Sequence, residues 1–289
     1  MLRRVLGLGA GRVALGVLLT VVLLAIFGPL VAPQDPLATS TDLLAAPSAH
    51  HWLGTDYLGR DVLSRLLAGS RLSVLGAVEV VAMALVVGAV PGVLSVYLGR
   101  AFEWVTLRLV DTLIALPFLV FAVAVTALLG NGIPQAMFVV GLLVSPLFYR
   151  VARAATLAVA RSPYVEAAVI AGASVAWIVR KHVWGKVLPP IAVALAQTTG
   201  VGFVVVASLT FLGIGVRPPA PTWGGVLAAD LGFLSYQPYA PLAPIVLIMA
   251  TVWACNLLAD ALRDASGVAG RALVLRRPRF SGGSRVKEA

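Results

Sequence analysis

The chain has 289 residues, of which 60% are hydrophobic and only 12% charged, and its mean hydropathy is +0.97. A soluble protein of this size needs more polar residues to cover its core, so the composition predicts an integral membrane protein. Apolar stretches of helical rather than alternating pattern favour an all-α fold.

Six stretches are long and apolar enough to cross a membrane as helices, which takes about 20 residues each. We place them near Val13–Val31, Ser73–Leu98, Val105–Leu129, Pro134–Leu157, Leu188–Ile214 and Pro241–Leu262. The sequence therefore predicts six transmembrane helices.

The net charge of +10 is distributed unevenly about these spans. If the N-terminus is cytoplasmic, all 22 Lys and Arg residues lie on the cytoplasmic side except Arg60, Arg65, Arg71 and Arg217. The positive-inside rule then places both termini in the cytoplasm. We expect the basic tail after Gly270 to face anionic lipid headgroups rather than nucleic acid.

The N-terminal region, residues 1–31, resembles a secretory signal because arginines precede an apolar run. The run is longer than a usual signal core, and Ala32-Pro33 offers no A-x-A cleavage site. We therefore predict a retained first span.

Residues 32–49 form a proline-rich loop, which is predicted to be external. Residues 55–71 then place apolar side chains on one helical face and most charges on the other. This pattern predicts an amphipathic helix in the outer membrane interface, before the chain enters the membrane at Ser73. Asp61 and Arg65 are spaced for a weak i,i+4 ion pair on that helix.

Metal-binding and disulfide functions are not predicted. His50 and His51 have no carboxylate or thiol at ligand spacing, so we interpret them as residues of an interfacial loop. Cys255 is the single cysteine and lies within the last span, where it is expected to fill the core.

The second, third and fourth spans contain charges and prolines that single out pathway candidates. Glu79 lies within a span, where facing lipid is costly, so it is expected to face protein or a water-filled cavity, either lining the pathway or supporting the structure. Asp111 lies near the cytoplasmic end and close to Arg108, where an ion pair or interfacial solvation would satisfy it, and this favours a structural role over one in the pathway. Pro117 and Pro146 interrupt helices that must then pack against protein or water.

The segment 217–225 contains consecutive prolines, which exclude a regular helix. Residues 226–234 are predicted to form a short external helix near the mouth of the pathway.

The basic loop 161–190 separates two strongly apolar segments. Ser162 is a favourable N-cap and Pro163 suits the first helical position, so an Ala-rich helix is predicted to run until Gly172 in a left-handed conformation. A second helix can begin at Ser174. The slim helix suits either a groove on another protein or a tightly packed cytoplasmic loop.

The loop sequence Glu166-Ala167-Ala168, followed by Gly172 and an apolar-basic run to Leu188-Pro189, resembles the EAA loop of ABC importer permeases. In that family, Leu-Pro usually closes the loop where this chain has Trp184-Gly185. Three further segments are similar to the C-type permeases of dipeptide, oligopeptide and nickel importers, namely His51 to Arg65, Leu107 to Pro117 and Phe211 to Gly224. The resemblance covers roughly residues 13 to 266.

This resemblance implies a type I ABC importer permease fold with six transmembrane helices and a cytoplasmic coupling helix, in a bacterial cytoplasmic membrane. It divides the chain into residues 1–72 with the first span, external loop and interfacial helix, a permease core at 73–264, and a basic tail at 265–289. The residues implied in coupling to the ATPase are Pro163, Tyr164, Glu166, Ala167, Ala168, Gly172 and Ser174.

The resemblance also implies the partners: a homologous permease subunit, two ATPase subunits or domains, and an extracytoplasmic binding protein that delivers a peptide or a nickel chelate. ATP and Mg would be bound by the ATPases, so no cofactor is expected in this chain. The substrates implied first are di- or oligopeptides.

The chain is not expected to be an enzyme. It has no G-x-x-x-x-G-K-[ST] phosphate loop, since Gly185-Lys186 is followed by Val187. The alternative function is an ion- or proton-coupled secondary transporter or channel with Glu79 and Asp111 as a relay. Such proteins usually show inverted repeats and charge pairs at the membrane centre, and the sequence shows neither, which favours the importer.

Overall fold

The computed structural model describes residues 1–130, 132–216 and 218–267, and there its regular secondary structure is helical apart from one isolated bridge between Thr55 and Asp61. Residues 268–289 of the basic tail predicted at 265–289 and the expected external Arg217 lie outside the described residues. The helices are α1 Leu2–Gly7, α2 Gly9–Val31, α3 Val62–Leu94, α4 Arg100–Ala115, α5 Phe118–Leu129, α6 Ile133–Ala160, α7 Pro163–Ile170, α8 Val175–Ile178, α9 Trp184–Phe211, α10 Trp223–Leu231 and α11 Leu242–Ala265, with a π-helical turn at Val179–Val183.

Five helical segments are long and apolar enough to span a membrane, and a sixth results if α4 and α5 count as one span. The five are α2, α3, α6, α11 and the continuous helical segment 175–211. The predicted all-α membrane fold is confirmed.

Helix α3 differs from the prediction for residues 55–72. Residues 62–71 do not form a separate interfacial helix but are the first turns of α3, which continues without a break past Ser73. Ser73 is buried, and its hydroxyl oxygen accepts a hydrogen bond of 3.0 Å from the backbone N–H of Trp223. The hydroxyl of Ser73 therefore contacts protein rather than the membrane interface. The proline inside α3, Pro91, lies close to the end of the helix and does not break it at Ser73.

The third predicted span, Val105–Leu129, is not a single straight helix. The axes of α4 and α5 differ by 97°, and the break lies at Leu116-Pro117. Proline disfavours the helical conformation of the residue before it, and Leu116 is extended, with φ −73° and ψ 136°. Proline therefore explains the bend.

Helices α3 and α6 pack closely because glycines replace side chains where they meet. A Cβ added to Gly92 would lie 2.7 Å from the carbonyl oxygen of Tyr149, and one added to Gly88 would lie 2.8 Å from Cβ of Phe148. On α6, Gly141 faces Met83 of α3 in the same way. This pair and α9 surround the main buried cluster, while α2 and α11 pack at the side.

Helix α10 is attached to the first turns of α3 through Trp223, which is almost fully buried. Its indole Nε1 donates to the hydroxyl of Ser70 at 3.2 Å, and its ring stacks on Phe203 at 5.8 Å between centroids. A short helix was predicted at 226–234, and it forms three residues earlier, where Thr222 caps its first turn. The segment from 216 to 231 therefore covers the end of the bundle opposite loop 161–190.

Candidate coupling loop and pathway residues

Helix α7 begins as predicted, with Ser162 at the N-cap position and Pro163 at the first helical position. The side chain of Ser162 does not cap the helix, however. Its hydroxyl instead donates to the carbonyl oxygen of Val159 at 2.5 Å, because the preceding helix α6 ends within hydrogen-bonding reach. The start of α7 is thus fixed by the proline and by the backbone.

The end of α7 confirms the role predicted for Gly172, which has φ +80°. The backbone N–H of Gly172 donates to Val169 at 2.9 Å, and that of Ala173 donates to Ala168 at 3.0 Å. This pair of bonds is the Schellman motif, in which a left-handed residue satisfies the last carbonyls of a helix. No atom lies within 4 Å of a Cβ added to Gly172, so glycine is needed here for its backbone conformation and not for space.

The exit of the loop is helical throughout. Ser174 caps α8 by accepting a hydrogen bond from the N–H of Trp177 at 3.3 Å, as predicted. The π-helical turn Val179–Val183 then leads directly into α9 at Trp184. Trp184-Gly185 and Leu188-Pro189 therefore both lie within α9, and neither pair interrupts the helix.

One side of the loop is anchored in the protein, and the other is exposed and apolar. Val165 of α7, Ile178 and Val183 are buried in a cluster with residues of α3, α6 and α9. Ile170 is 87% exposed, and the other large exposed apolar side chains of the loop are Tyr164, Val169, Val175, Trp177, Trp184 and Leu188. Exposed apolar patches of this kind mark interaction surfaces.

Glu166 and Ala167 lie on the exposed side of α7, and Ala168 is partly buried against the cluster beneath it. Among the residues that the structure describes, the Glu166 side chain has no hydrogen-bond or ion-pair partner. A carboxylate in the first turn of a helix is favoured by the helix dipole and remains available to a partner.

His182 is a loop residue that the sequence did not single out. Its ring lies 5.4 Å from that of Tyr164 and 5.2 Å from that of Trp177, between centroids. The two ring contacts join α7 to the segment formed by α8 and the π-helical turn.

Glu79 lies near the middle of α3 and is half-buried. Within the described ranges, its carboxylate forms neither a hydrogen bond nor an ion pair. The structure therefore leaves this group available to water or to a partner subunit.

Asp111 forms an ion pair that differs from the predicted one. Its Oδ1 lies 3.3 Å from Nη2 of Arg150 on α6, and the expected partner Arg108 lies on the same helix as Asp111. Both side chains are more than half exposed, so the pair stabilises the fold by at most about 1 kcal/mol. A second contact between the same helices joins Arg153 to Glu103.

Pro117 occupies the N-cap position of α5, at the bend between α4 and α5. It redirects the chain by the 97° noted above. The three pathway candidates thus lie on different helices, and no hydrogen bond or ion pair joins them in the described part of the chain.

A buried charged cluster lies at the opposite end of the bundle. The predicted pair between Asp61 and Arg65 is absent, because Asp61 caps α3 and contacts His51, whereas Nε of Arg65 lies 3.5 Å from Oδ2 of Asp56. Asp56 also binds Arg60 at 2.7 Å. His51 therefore does have a carboxylate neighbour, but the described residues contain no group of three or more potential metal ligands of the His, Cys, Asp and Glu types.

The helical membrane fold and the apolar surface on a loop between two spans define a transport component rather than a soluble protein. A sequence model of the family described as "Binding-protein-dependent transport system inner membrane component" matches residues 62–267. The chain belongs to this family, and it is a permease subunit of an ATP-driven ABC importer.

Several curated proteins are similar over most of their length. The chain is 34% identical to the "Probable D,D-dipeptide transport system permease protein DdpC" of Escherichia coli K12 over 249 residues, which cover 86% of this chain and 84% of that protein. It is 36% identical to the "Di/tripeptide transport system permease protein DppC" of Pseudomonas aeruginosa, with coverage of 86% and 84%. The "Glutathione transport system permease protein GsiD" of Pectobacterium atrosepticum is 35% identical, with coverage of 76% and 73%.

Proposed function

We propose that this chain forms half of the translocation pathway for di- or oligopeptides and is coupled to separate ATPase subunits through loop 161–190. The relatives named above are permeases for dipeptides, tripeptides and glutathione, which supports small peptides as the substrate class. The observation that carries the coupling role is the Schellman-capped helix α7, which is anchored by Val165 and exposes an apolar face.

The partners follow from this role. A homologous permease supplies the other half of the pathway, two ATPase subunits or domains bind ATP and Mg, and an extracytoplasmic protein delivers the peptide. This chain binds no cofactor and performs no hydrolysis. On α7 and its flanks, Pro163, Gly172 and Ser174 set the helix ends, and Tyr164, Glu166, Ala167 and Ala168 face or support the ATPase.

The coupling role is tested by changing the end of α7. Gly172→Val places a β-branched residue in a left-handed conformation that costs it about 1–2 kcal/mol, whereas asparagine tolerates this conformation. We expect Gly172→Val to reduce both peptide uptake and co-purification of the ATPases at unchanged permease abundance, and Gly172→Asn to retain both. Uptake of a labelled di- or tripeptide, ATPase co-purification and permease abundance are measured in the same cells.

Glu166 is tested in the same cells with Glu166→Ala, and Asp42→Ala on the exposed loop at the other end serves as the control. We expect only the first substitution to weaken ATPase docking. If permease abundance falls in step with uptake, the loop is structural. Intact uptake and co-purification with Glu166→Ala remove that residue from the docking surface, and absence of any ATPase from the wild-type preparation refutes the proposed function.

We propose that loop 161–190 and both termini are cytoplasmic, which rests on the distribution of Lys and Arg. Ser40 and Tyr236 are exposed at one end of the bundle, and Ser174 is exposed in the loop at the other end. Single cysteines at Ser40 and Tyr236 should react with an impermeant thiol reagent in intact cells, and one at Ser174 should react only after lysis. Labelling of the cysteine at Ser174 in intact cells reverses the orientation.

A further inference from the structure

A cavity of about 320 Å³ lies at the end of the bundle opposite the coupling loop. It is formed where the loop before α3, the end of α9, the proline segment and α10 meet, and its polar side chains are Tyr57, Arg60, Arg65, Thr210 and Thr222. Small-molecule sites have volumes of about 300–1,000 Å³, so the cavity can hold a small solute. Two stretches more than 140 residues apart in the chain, 57–65 and 210–229, form its wall.

Among the residues that the structure describes, the cationic groups of this wall are Arg60 and Arg65, and only 7% and 6% of their surfaces are exposed. Oδ2 of Asp56 accepts a hydrogen bond of 2.7 Å from Nε of Arg60 and lies 2.7 Å from its Nη2, and Nη1 of Arg65 donates to the carbonyl oxygen of Pro36 at 3.3 Å. Nη1 of Arg60 and Nη2 of Arg65 have no hydrogen-bond partner among the described residues. Since a guanidinium has five N–H donors, each arginine keeps donors for a ligand.

The carboxylates nearby balance these two arginines only in part. Asp56 is shared by both, and the next carboxylate is Asp230 of α10, which is 6% exposed. Its Oδ2 has no hydrogen-bond partner among the described residues. Burial first, and then the negative charge of Asp56, raise the pKa of Asp230 to about 7, although Arg65 acts against this rise. Arg60 and Arg65 therefore share the carboxylate of Asp56, and Asp230 is only partly ionised at neutral pH.

Asp230 lies close to the arginines but does not line the cavity. The residues of α10 that line the cavity are Gly225, Ala228 and Ala229, and Asp230 is not among them. The lining side of α10 is therefore small and apolar, and among the described residues the ionised groups that a solute in the cavity meets are the two arginines.

We propose that Arg60 and Arg65 bind the carboxylate of a small peptide in this cavity, next to the permease pathway. This inference rests on the proposed function, because it takes peptides as the substrate class. A guanidinium binds a carboxylate through two parallel N–H···O bonds, and such charge-assisted bonds are stronger in a site shielded from water. The free C-terminus is the one carboxylate that every unmodified linear peptide carries, so the site recognises peptides without selecting their side chains.

The test uses the transporter purified through a tag on this chain and reconstituted in lipid nanodiscs without the binding protein. Binding of radiolabelled alanylalanine is measured by equilibrium dialysis, with alanylalaninamide and inorganic phosphate as competitors. We expect the amide to compete about tenfold more weakly than alanylalanine, because it lacks the carboxylate. Phosphate should compete more weakly still, because it has no apolar groups that could contact the apolar part of the cavity wall.

Two variants change the affinity in opposite directions. Arg65→Lys keeps the charge but loses the planar pair of donors, and it should weaken alanylalanine binding about tenfold. Asp230→Asn removes a competing negative charge outside the cavity and should tighten binding about threefold or more at pH 8, with a smaller effect at pH 5.5. The charged groups that act on Asp230 are Asp56 and Arg65, with Arg60 paired to Asp56. A gain of affinity cannot result from misfolding.

Equal competition by acid and amide, stronger competition by phosphate, or weaker binding by Asp230→Asn overturns the inference. An absence of alanylalanine binding to the wild-type transporter also overturns it. ATPase co-purification is measured in the same preparation. If the ATPases are present and the carboxylate is not recognised, this inference alone fails, and the proposed function stands.

Discussion

His51 and Asp61 are joined by a contact of 3.0 Å between Nδ1 and Oδ1, across ten residues of loop. The other oxygen of Asp61 accepts hydrogen bonds from the backbone N–H of Ser64 at 2.8 Å and from its hydroxyl at 2.6 Å. The hydroxyl of Ser64 in turn accepts from the backbone N–H of Gln34 at 3.0 Å. One buried carboxylate therefore connects the start of α3 to two parts of the loop before it.

Asp61→Ala is expected to destabilise this end of the protein. The substitution removes an N-cap, which costs about 0.5–2 kcal/mol, and leaves the buried hydroxyl and imidazole groups without their acceptor. We expect a lower midpoint of thermal unfolding in detergent and a lower yield. Asp42→Ala, on the exposed part of the same loop, is the control and should leave both unchanged. An unchanged midpoint for Asp61→Ala would show that the cap contributes little.

Gly88→Ala is expected to separate α3 from α6. The added Cβ would lie 2.8 Å from Cβ of Phe148 and 3.0 Å from the backbone nitrogen of Tyr149, so a backbone must move. Overpacking of this kind costs about 1–3 kcal/mol. Gly16→Ala in α2 is the matched control, because no atom lies within 4 Å of its added Cβ and alanine is the better helix former. The unfolding midpoints of the two variants are compared in the same detergent, and equal midpoints contradict the close packing.

Glu79→Gln tests the unpaired carboxylate in the middle of α3. Glutamine keeps the shape of the side chain but not its charge, so assembly with the partner permease should stay normal if Glu79 lines the pathway. The rate or the substrate preference of peptide uptake should then change severalfold, since charges in a low dielectric act strongly on nearby solutes. A fall in assembly yield with unchanged uptake per assembled transporter assigns the residue to the structure instead.

Asp230 makes the stability of the protein depend on pH. Helix α10 is not among the candidate spans, and the pKa of its Asp230 carboxyl is raised from 3.8 to about 7, chiefly by burial. The folded protein therefore binds this proton more tightly than the unfolded chain does, and this contribution to stability is lost as the pH rises from about 4 to 7.

Asp230→Asn removes the pH-dependent contribution of this group to stability. It also removes the free-energy cost of burying an ionised carboxylate whose Oδ2 has no hydrogen-bond partner among the described residues. We expect the variant to unfold at a higher temperature than the wild type at pH 8, by ~1 kcal/mol or more in stability, and the difference to shrink towards pH 5. Asp42→Asn should show no such pH-dependent difference. A difference that is constant between pH 5 and 8 would mean that Asp230 does not titrate in this range.

The features that sequence predicted well are those decided by neighbouring residues. Gly172 is left-handed because a helix has to end there, Ser174 caps the next helix, and Pro117 breaks its span, all from local backbone chemistry. The size and direction of the bend at Pro117 depend on packing against other helices. The sequence therefore predicted an interruption at Pro117 within one span, but not the 97° change of direction.

The features that sequence predicted poorly are contacts between distant segments. Asp111 was assigned to Arg108 on its own helix but pairs with Arg150, which lies 39 residues away and is brought close by packing. The cavity between α3 and α10 could not be predicted for the same reason, since Arg65 and Thr222 meet only in the folded bundle. Helical periodicity contains no information on such pairs.

The uninterrupted course of α3 gives the molecule a mechanical connection between its two ends. At 1.5 Å per residue, the 33 residues of this helix extend about 50 Å. Ala89 and Val93, near one end, line a groove with Trp184 and Leu188 in the last part of the coupling loop, and Arg65, near the other end, lines the charged cavity. Because a rigid rod of this length pivots as a whole, a tilt of about 10° at its middle displaces each end by about 4 Å in opposite directions. The unbroken backbone of α3 is thus one continuous connection between the groove beside the loop and the arginines.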